Sequence, residues 1–173
     1  ELTDNPSISI KGGRHPLLIL QKGEVSKVVP FELSLGSDYD FVVLSGPNTG
    51  GKTVLLKAVG LLTLMALSGL PIPVADGTKI GSFNQVAADI GDEQSIEHAL
   101  STFSSHISKI RAILEICNEK TLVLLDEIGA ATDPQQGSAL AQAIMESIVQ
   151  KGAKGIATTH YTALKVFAES RER

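Results

Sequence analysis

A glycine-rich segment carries the clearest chemical signal in this chain. Residues 46–53 read Gly-Pro-Asn-Thr-Gly-Gly-Lys-Thr and match the pattern G-x-x-x-x-G-K-[ST] at every required position. Glycines let backbone N–H groups curl around phosphate groups, and a helix that begins there favours their negative charge. We therefore predict that the loop binds a nucleoside triphosphate, with Lys52 at the β/γ oxygens and Thr53 on Mg²⁺. The nucleotide contacts are assigned to Gly46, Pro47, Asn48, Thr49, Gly50, Gly51, Lys52 and Thr53.

Farther along the chain, an apolar run ends in two carboxylates. Residues 122–127 read Leu-Val-Leu-Leu-Asp-Glu, which is typical of a buried strand. Ligands of open α/β sheets bind at the carboxyl ends of the strands. We predict that Asp126 holds Mg²⁺, often through a water, and that Glu127 polarises the water that attacks the γ-phosphate. An apolar strand ending in an acid is a weak signal alone, and the phosphate loop upstream is what favours this interpretation.

A histidine follows a third strand-like run. Residues 155–158 are succeeded by Thr159 and His160. A histidine at a strand end beside a nucleotide can donate a hydrogen bond to the γ-phosphate, and we predict this role for His160. The alternative is an ordinary surface or core histidine, as most histidines are. His98 and His106 flank no such strand end, and we assign them no role.

Strand-like and helix-like segments alternate along the chain, and they must position these residues. Short β-like pieces lie at 7–10 and 28–35, and an extended region runs through Ile90. Apolar runs predict buried strands at 41–45, 121–125 and 155–158. Helical patterns cover 52–67, about 134–149 and 161–168, with Pro134 opening the second of them. This alternation predicts a three-layer α/β fold with a mainly parallel sheet.

One further helix is predicted between Ser95 and about Asn118. Its apolar residues recur at spacings of four and three, which indicates one face of an amphipathic helix. They are Ile96, Leu100, Phe103, Ile107, Ile110 and Leu114. The only cysteine, Cys117, falls in this stretch and is expected to be a core residue.

Composition limits the classes of function. The chain has 173 residues, 43% of them hydrophobic and 20% charged, as in an ordinary soluble globular protein. Its formal net charge is −4, whereas a surface that grips nucleic acid usually carries excess Lys and Arg. Any contact with DNA should therefore lie on another segment or on a partner. We find no signal peptide and no apolar stretch long enough to cross a membrane. Because the chain begins without Met and ends in charged residues, we expect one domain, 1–173, of a longer protein.

Taken in order, the motifs resemble the ATPase domain of the MutS family, and most closely its second bacterial lineage, MutS type 2. The resemblance spans about residues 12–166. It is carried by Gly-Arg-His-Pro-Leu-Leu at 13–18, the phosphate loop, the segment 88–106, the acidic strand with the following 129–134, and Ala-Thr-Thr-His-Tyr at 157–161. It implies an ABC-ATPase-like P-loop fold that hydrolyses ATP with Mg²⁺.

The resemblance also implies a homodimer in which each partner completes the other's site. The signature serine of the family falls on Ser101, which would contact the partner's γ-phosphate, with Ser104 and Ser105 less favoured. Asn48 and residues near Gln94 would touch the phosphates or the attacking water. DNA would be bound by domains absent from this chain, in a bacterial, cytoplasmic, nucleoid-associated protein.

Adenine is implied to lie near His15-Pro16 and the segment before Pro30. The aromatic residue that stacks on adenine in the family has no clear counterpart among residues 26–29. Two further positions depart from the family pattern, Ala131 in place of a glycine and Gln136 in place of an acidic residue. In the family, both positions fall in a loop that communicates across the dimer. The two departures therefore concern the coupling between the two sites of the dimer more than nucleotide binding.

Two other functions remain as alternatives. An ABC-type transporter subunit would need an LSGGQ-like signature before the acidic strand, and residues 99–103 read Ala-Leu-Ser-Thr-Phe instead. A nucleotide-dependent dimerisation module with negligible turnover would not need Glu127, which is present.

Overall fold

Helices and strands alternate along a computed structural model of the chain that describes residues 1–91, 99–130 and 132–170. The strands are β1 Leu2–Thr3, β2 Ile8–Gly13, β3 Phe31–Leu35, β4 Phe41–Ser45, β5 Lys79–Gly81, β6 Gln85–Asp89, β7 Thr121–Leu125 and β8 Lys154–Thr159. The α-helices are α1 Pro16–Lys22, α2 Lys52–Leu67, α3 Ala99–Ile116, α4 Pro134–Gln150 and α5 Thr162–Glu169.

Four strands form a wholly parallel sheet in the order β4-β8-β7-β6. The bounds of β4 and β7 are those predicted from their apolar runs. Every residue of β7 is buried. An apolar run without alternation forms such a strand because both faces of a parallel sheet are covered by other elements. The predicted α/β organisation around a parallel sheet is therefore confirmed.

The three helices α3, α4 and α5 cover one face of this sheet. Their buried side chains, among them Ile113, Ile148 and Leu164, pack against Val123 and Ala157 of the sheet. Cys117 is buried in the same cluster, as predicted. The amphipathic pattern of α3 is confirmed for residues 104–116, while the predicted positions Ile96, Leu100 and Phe103 have side chains outside the described part. Among the described side chains of α3, at 104–116, Ile113 is buried and Ile107 is only partly buried, and Cys117 directly after the helix is buried as well.

The other face of the parallel sheet is covered by α2 and by a second sheet. Leu56, Val59 and Leu62 of α2 pack against Leu124 and Ile156. The helix approaches the sheet closely, since a Cβ added at Gly60 would lie 2.7 Å from a methyl group of Leu124. The apolar segment of α2 is thus a buried helix, as predicted. Within the described ranges, no helix is long and apolar enough to cross a membrane.

The second sheet has the order β1-β5-β2-β3 and mixes parallel and antiparallel pairs. The sequence patterns identified β2, β3 and the extended region that contains β5, but not β1 or the pairing, because partners distant in sequence leave no local signature. Helix α1 was not predicted at all. It has seven residues, and its apolar residues form one continuous run, Leu17–Leu20, without the spacing of three and four on which such a prediction depends.

Candidate nucleotide-binding site

The carboxyl ends of the parallel strands bring the predicted residues to one edge of the sheet. Strand β4 leads into the loop at 46–51, β7 ends just before Asp126, and β8 ends just before His160. Since β8 lies between β4 and β7, the loop and the acidic pair are two strand spacings apart, roughly 10 Å. That edge is where open α/β sheets bind their ligands.

The glycine-rich loop ends at the N-terminus of α2. Gly51 caps the helix with φ of 76°, a left-handed conformation that glycine adopts without a steric penalty. A Cβ added at Gly46, Gly50 or Gly51 would meet no heavy atom within 4 Å. The loop therefore presents backbone and open space beside a helix N-terminus, which is the arrangement that fits a phosphate group.

The ammonium group of Lys52 lies within the loop. It donates hydrogen bonds to the carbonyl oxygens of Gly46 at 2.5 Å and Pro47 at 2.8 Å, and the residue is 9% exposed. These carbonyls hold the positive charge at the centre of the loop. The predicted lysine and loop are thus assembled as a unit, with Thr53 in the first turn of α2 beside them.

The acidic pair is held by a residue that sequence reasoning did not single out. The Thr158 hydroxyl donates a hydrogen bond to Oδ1 of Asp126 and accepts one from the Glu127 backbone N–H at 2.8 Å. The Thr158 carbonyl accepts from the N–H of Ile128 at 2.9 Å. Thr158 is completely buried. A buried hydroxyl at the end of a central strand was the available signal, but its partner is contributed by another strand.

Glu127 has an unusual backbone and lies beside the predicted sensor. Its φ of 49° makes it the one non-glycine residue with positive φ in the described parts of the chain. Such conformations cost on the order of 1 kcal/mol and cluster at functional sites. Nε2 of His160 lies 3.4 Å from Oε1 of Glu127, and both side chains are nearly half exposed. Two residues predicted independently are therefore neighbours, with room for a ligand next to them.

A cavity of about 570 Å³ extends from the phosphate loop towards α1. It is lined by Gly51 and Lys52 at one end and by His15, Val28 and Val29 at the other. Its volume is in the range of ordinary ligand sites. The cavity joins the predicted phosphate loop to both predicted base-binding segments.

His15 has a distinct electrostatic environment at the far end of this cavity. Burial lowers the pKa of His15, and the positive charge of Lys57 lowers it further. Within the described ranges, its Nδ1 atom is buried and has no hydrogen-bond partner. A neutral imidazole with an unused polar atom fits a contact with a polar group of a bound ligand.

Comparison with known proteins decides which family this site belongs to. Residues 42–173 match the family described as MutS domain V. The chain belongs to the MutS family.

Three bacterial relatives, each named Endonuclease MutS2, are similar to the MutS-family chain described here. The protein of Pelotomaculum thermopropionicum is 58% identical over 166 residues, which cover 96% of this chain and 20% of the relative. That of Alkaliphilus oremlandii is 56% identical over 171 residues, or 99% and 21%. That of Lactobacillus helveticus is 52% identical over 173 residues, or 100% and 21%. The chain thus spans about a fifth of these relatives' length, and they support the MutS type 2 lineage.

Other residues expected from the MutS resemblance lie on helices α3 and α4 or outside the described part. Ser101 lies in the first turn of α3. Gln94 and Ala131 fall outside the described residues. Gln136, expected in a loop, lies instead in the first turn of α4, where its backbone N–H donates to Oδ1 of the N-cap residue Asp133 at 3.3 Å. The roles of these residues stay predictions.

No role was predicted for His106, yet it makes a contact at the same sheet edge of this MutS domain. His106 lies against Asp89, the last residue of β6, with Nδ1 2.5 Å from Oδ2 of the carboxylate. His98 is outside the described residues. The contact could not be predicted from the sequence, because Asp89 lies 17 residues before His106. The position of its strand, β6, depends on pairing with β7, which local patterns do not reveal.

Proposed function

We propose that this chain is the ATPase domain of a MutS-like protein that acts in DNA mismatch repair or in suppressing recombination. The observation that carries the proposal is the sheet edge on which the phosphate loop, the acidic pair and His160 are brought together. Membership of the MutS family supports the assignment of this site to a protein that acts on DNA. We further propose that residues 1–173 form one domain with the three-layer, ABC-ATPase-like P-loop fold.

Nucleotide binding would use the loop and the cavity that continues from it. Backbone N–H groups of residues 46–51 and the ammonium of Lys52 would hold the phosphates by charge-assisted hydrogen bonds. The base would occupy the far end of the cavity near His15, Val28 and Val29. Because aliphatic residues occur where an aromatic is expected, base contacts there would be mainly apolar, with His15 Nδ1 offering one polar contact.

Hydrolysis would use the acidic pair and its neighbours. Thr53 and Asp126 would hold Mg²⁺, which would supply positive charge to offset the charge of the phosphates. The Thr158 hydrogen bond fixes Oδ1 of Asp126, so we assign Oδ2 to the metal. Glu127 would orient the attacking water and accept its proton. His160, 3.4 Å from Glu127, would donate to the γ-phosphate.

Two copies of the domain would form a homodimer with composite sites, each completed by Ser101 of the other copy. DNA would be bound by parts of a longer protein, in agreement with the net charge of −4. The protein would then be bacterial, cytoplasmic and associated with the nucleoid. Membership of the MutS family favours this function over a transporter subunit.

A direct test is the rate of phosphate release as a function of protein concentration. Composite sites predict that the specific rate rises with concentration and then reaches a plateau as dimers form. No Mg-dependent phosphate release at any concentration would refute the proposal and leave the non-hydrolysing dimerisation module. A constant specific rate at all concentrations, with the protein monomeric throughout, would refute composite sites alone.

A further inference from the structure

A buried carboxylate lies one strand away from the acidic pair. Asp89 ends β6, and its side chain is 4% exposed. Its backbone carbonyl accepts a hydrogen bond from the Asp126 N–H at 2.9 Å. A buried carboxylate is unfavourable unless it is paired and hydrogen-bonded. The position of Asp89 therefore requires charged or donor groups from another element.

Helix α3 provides those groups. Since an ionised carboxylate only accepts, the His106 Nδ1–H donates to Oδ2 at 2.5 Å. The Lys109 ammonium lies 3.5 Å from Oδ1, an ion-pair distance. His106 and Lys109 are three residues apart and so share one face of the helix. Within the described ranges, Oδ1 accepts no hydrogen bond, so His106 makes the one hydrogen bond to this carboxylate, and Lys109 adds an ion pair.

This contact continues the packing face of α3 towards its N-terminus. His106 precedes Ile110, Ile113 and Cys117 at helical spacings, and these apolar residues pack on the sheet. His106 thus replaces an apolar residue at the point where the face reaches the polar edge of the sheet. An apolar side chain there would leave the Asp89 carboxylate without its close donor.

The same helix carries Ser101 in its first turn, five residues before His106. Five residues correspond to roughly 7.5 Å along a helix axis. The His106–Asp89 contact is therefore a fixed point within about two turns of Ser101. The backbone of Asp89 simultaneously contacts Asp126, the predicted metal ligand.

We propose that Asp89 is a positioning residue that joins the start of α3 to the strand edge carrying Asp126. Through its contact with His106, Asp89 fixes the position of α3 and therefore of Ser101, which would reach the partner's nucleotide. The acidic pair of one domain is thereby linked to the serine that the same domain contributes to the partner's site. This inference rests on the proposed function. It assigns a role to two residues, Asp89 and His106, that the sequence motifs did not identify.

The test uses variants of the full-length protein. His106→Leu removes the donor and keeps an apolar side chain, whereas His106→Asn keeps an N–H close to the place of Nδ1. Arg111→Ala is the matched control, because its ion pair with Glu115 at 3.0 Å lies on the exposed side of the same helix. Should His106→Leu fail to fold, Asp89→Asn removes the charge while keeping an acceptor. Hydrogen exchange of the amides at 104–110 and steady-state ATP hydrolysis are measured for each.

We expect His106→Leu to speed amide exchange and to lower kcat by about 10- to 100-fold with little change in KM, since a displacement near 1 Å can have such an effect. His106→Asn should recover most of both quantities, and Arg111→Ala should resemble wild type. Unchanged exchange and kcat in His106→Leu and Asp89→Asn, beside an active wild type, would overturn this inference and leave the proposed function intact. An inactive wild type would refute the proposed function, and the inference with it.

Discussion

Replacement of Thr158 by valine tests how the acidic pair is held. Valine keeps the shape of threonine but removes the hydroxyl that donates to Asp126 and accepts from the Glu127 N–H at 2.8 Å. A hydrogen bond to a charged group contributes about 1.5–3 kcal/mol, and an unsatisfied N–H costs about 1–3 kcal/mol. Asp126 is only partly buried, so water would recover part of this loss. We therefore expect Thr158→Val to lower the free energy of unfolding by about 2–3 kcal/mol.

The measurement is urea denaturation of wild type and three variants. Thr158→Ser keeps the hydroxyl and should cost only about 1 kcal/mol, for the lost methyl group. Thr63→Val is the control for the substitution itself, because the Thr63 hydroxyl is buried and, within the described ranges, has no partner. It should be neutral or stabilising. Surface substitutions usually change the free energy of unfolding by no more than about 0.5 kcal/mol. If the free energy of unfolding of Thr158→Val were within about 0.5 kcal/mol of the wild-type value, the role of Thr158 would be refuted.

Three further predictions concern nucleotide binding, pH and the dimer. Lys52→Ala should weaken ADP binding about tenfold or more through loss of a charge-assisted contact, and unchanged affinity in a titration would exclude the loop. Because the pKa of His15 is lowered on folding, its contribution to stability is present above the ordinary histidine pKa and is lost as pH falls through the lower folded value. His15→Gln should thus lose less unfolding free energy than wild type between about pH 7.5 and 5.5, and parallel losses would contradict the cause given. Equal mixing of Lys52→Ala and Ser101→Ala proteins should restore about a quarter of the wild-type hydrolysis rate, since random pairing makes half the dimers mixed, each with one intact site. Hydrolysis no greater than the average of the two variants, with dimers present, would exclude Ser101 from the partner's site.

The sequence predicted the central sheet well because its information is local. A buried parallel strand is a continuous apolar run, so the bounds of β4 and β7 could be predicted from the limits of their apolar runs. The helix α2 likewise begins at Lys52 because the loop pattern requires it. The elements that were missed or left unpaired depend on distant contacts. Strand β1 pairs with β5 more than 70 residues away, at Leu2 with Ile80, and nothing in its two residues reveals this.

The same reason explains what was missed at the site. The motifs identified residues that would touch the ligand, but not those that hold them in place. Thr158 and Asp89 each contact Asp126 from a neighbouring strand. His106 interrupts an apolar helix face, and its meaning is evident only when β6 is placed against α3. Supporting contacts of this kind follow from strand order, which sequence periodicity does not determine.

The central claim is that this sheet edge hydrolyses ATP, and Glu127→Gln tests it most directly. The variant keeps the size and hydrogen bonding of the side chain but removes the carboxylate that would accept a proton. We predict that binding of a fluorescent ATP analogue is retained, while Mg-dependent phosphate release falls about 100-fold or more, as for the loss of a general base. Phosphate release at the wild-type rate in this variant, with binding intact, would contradict the account.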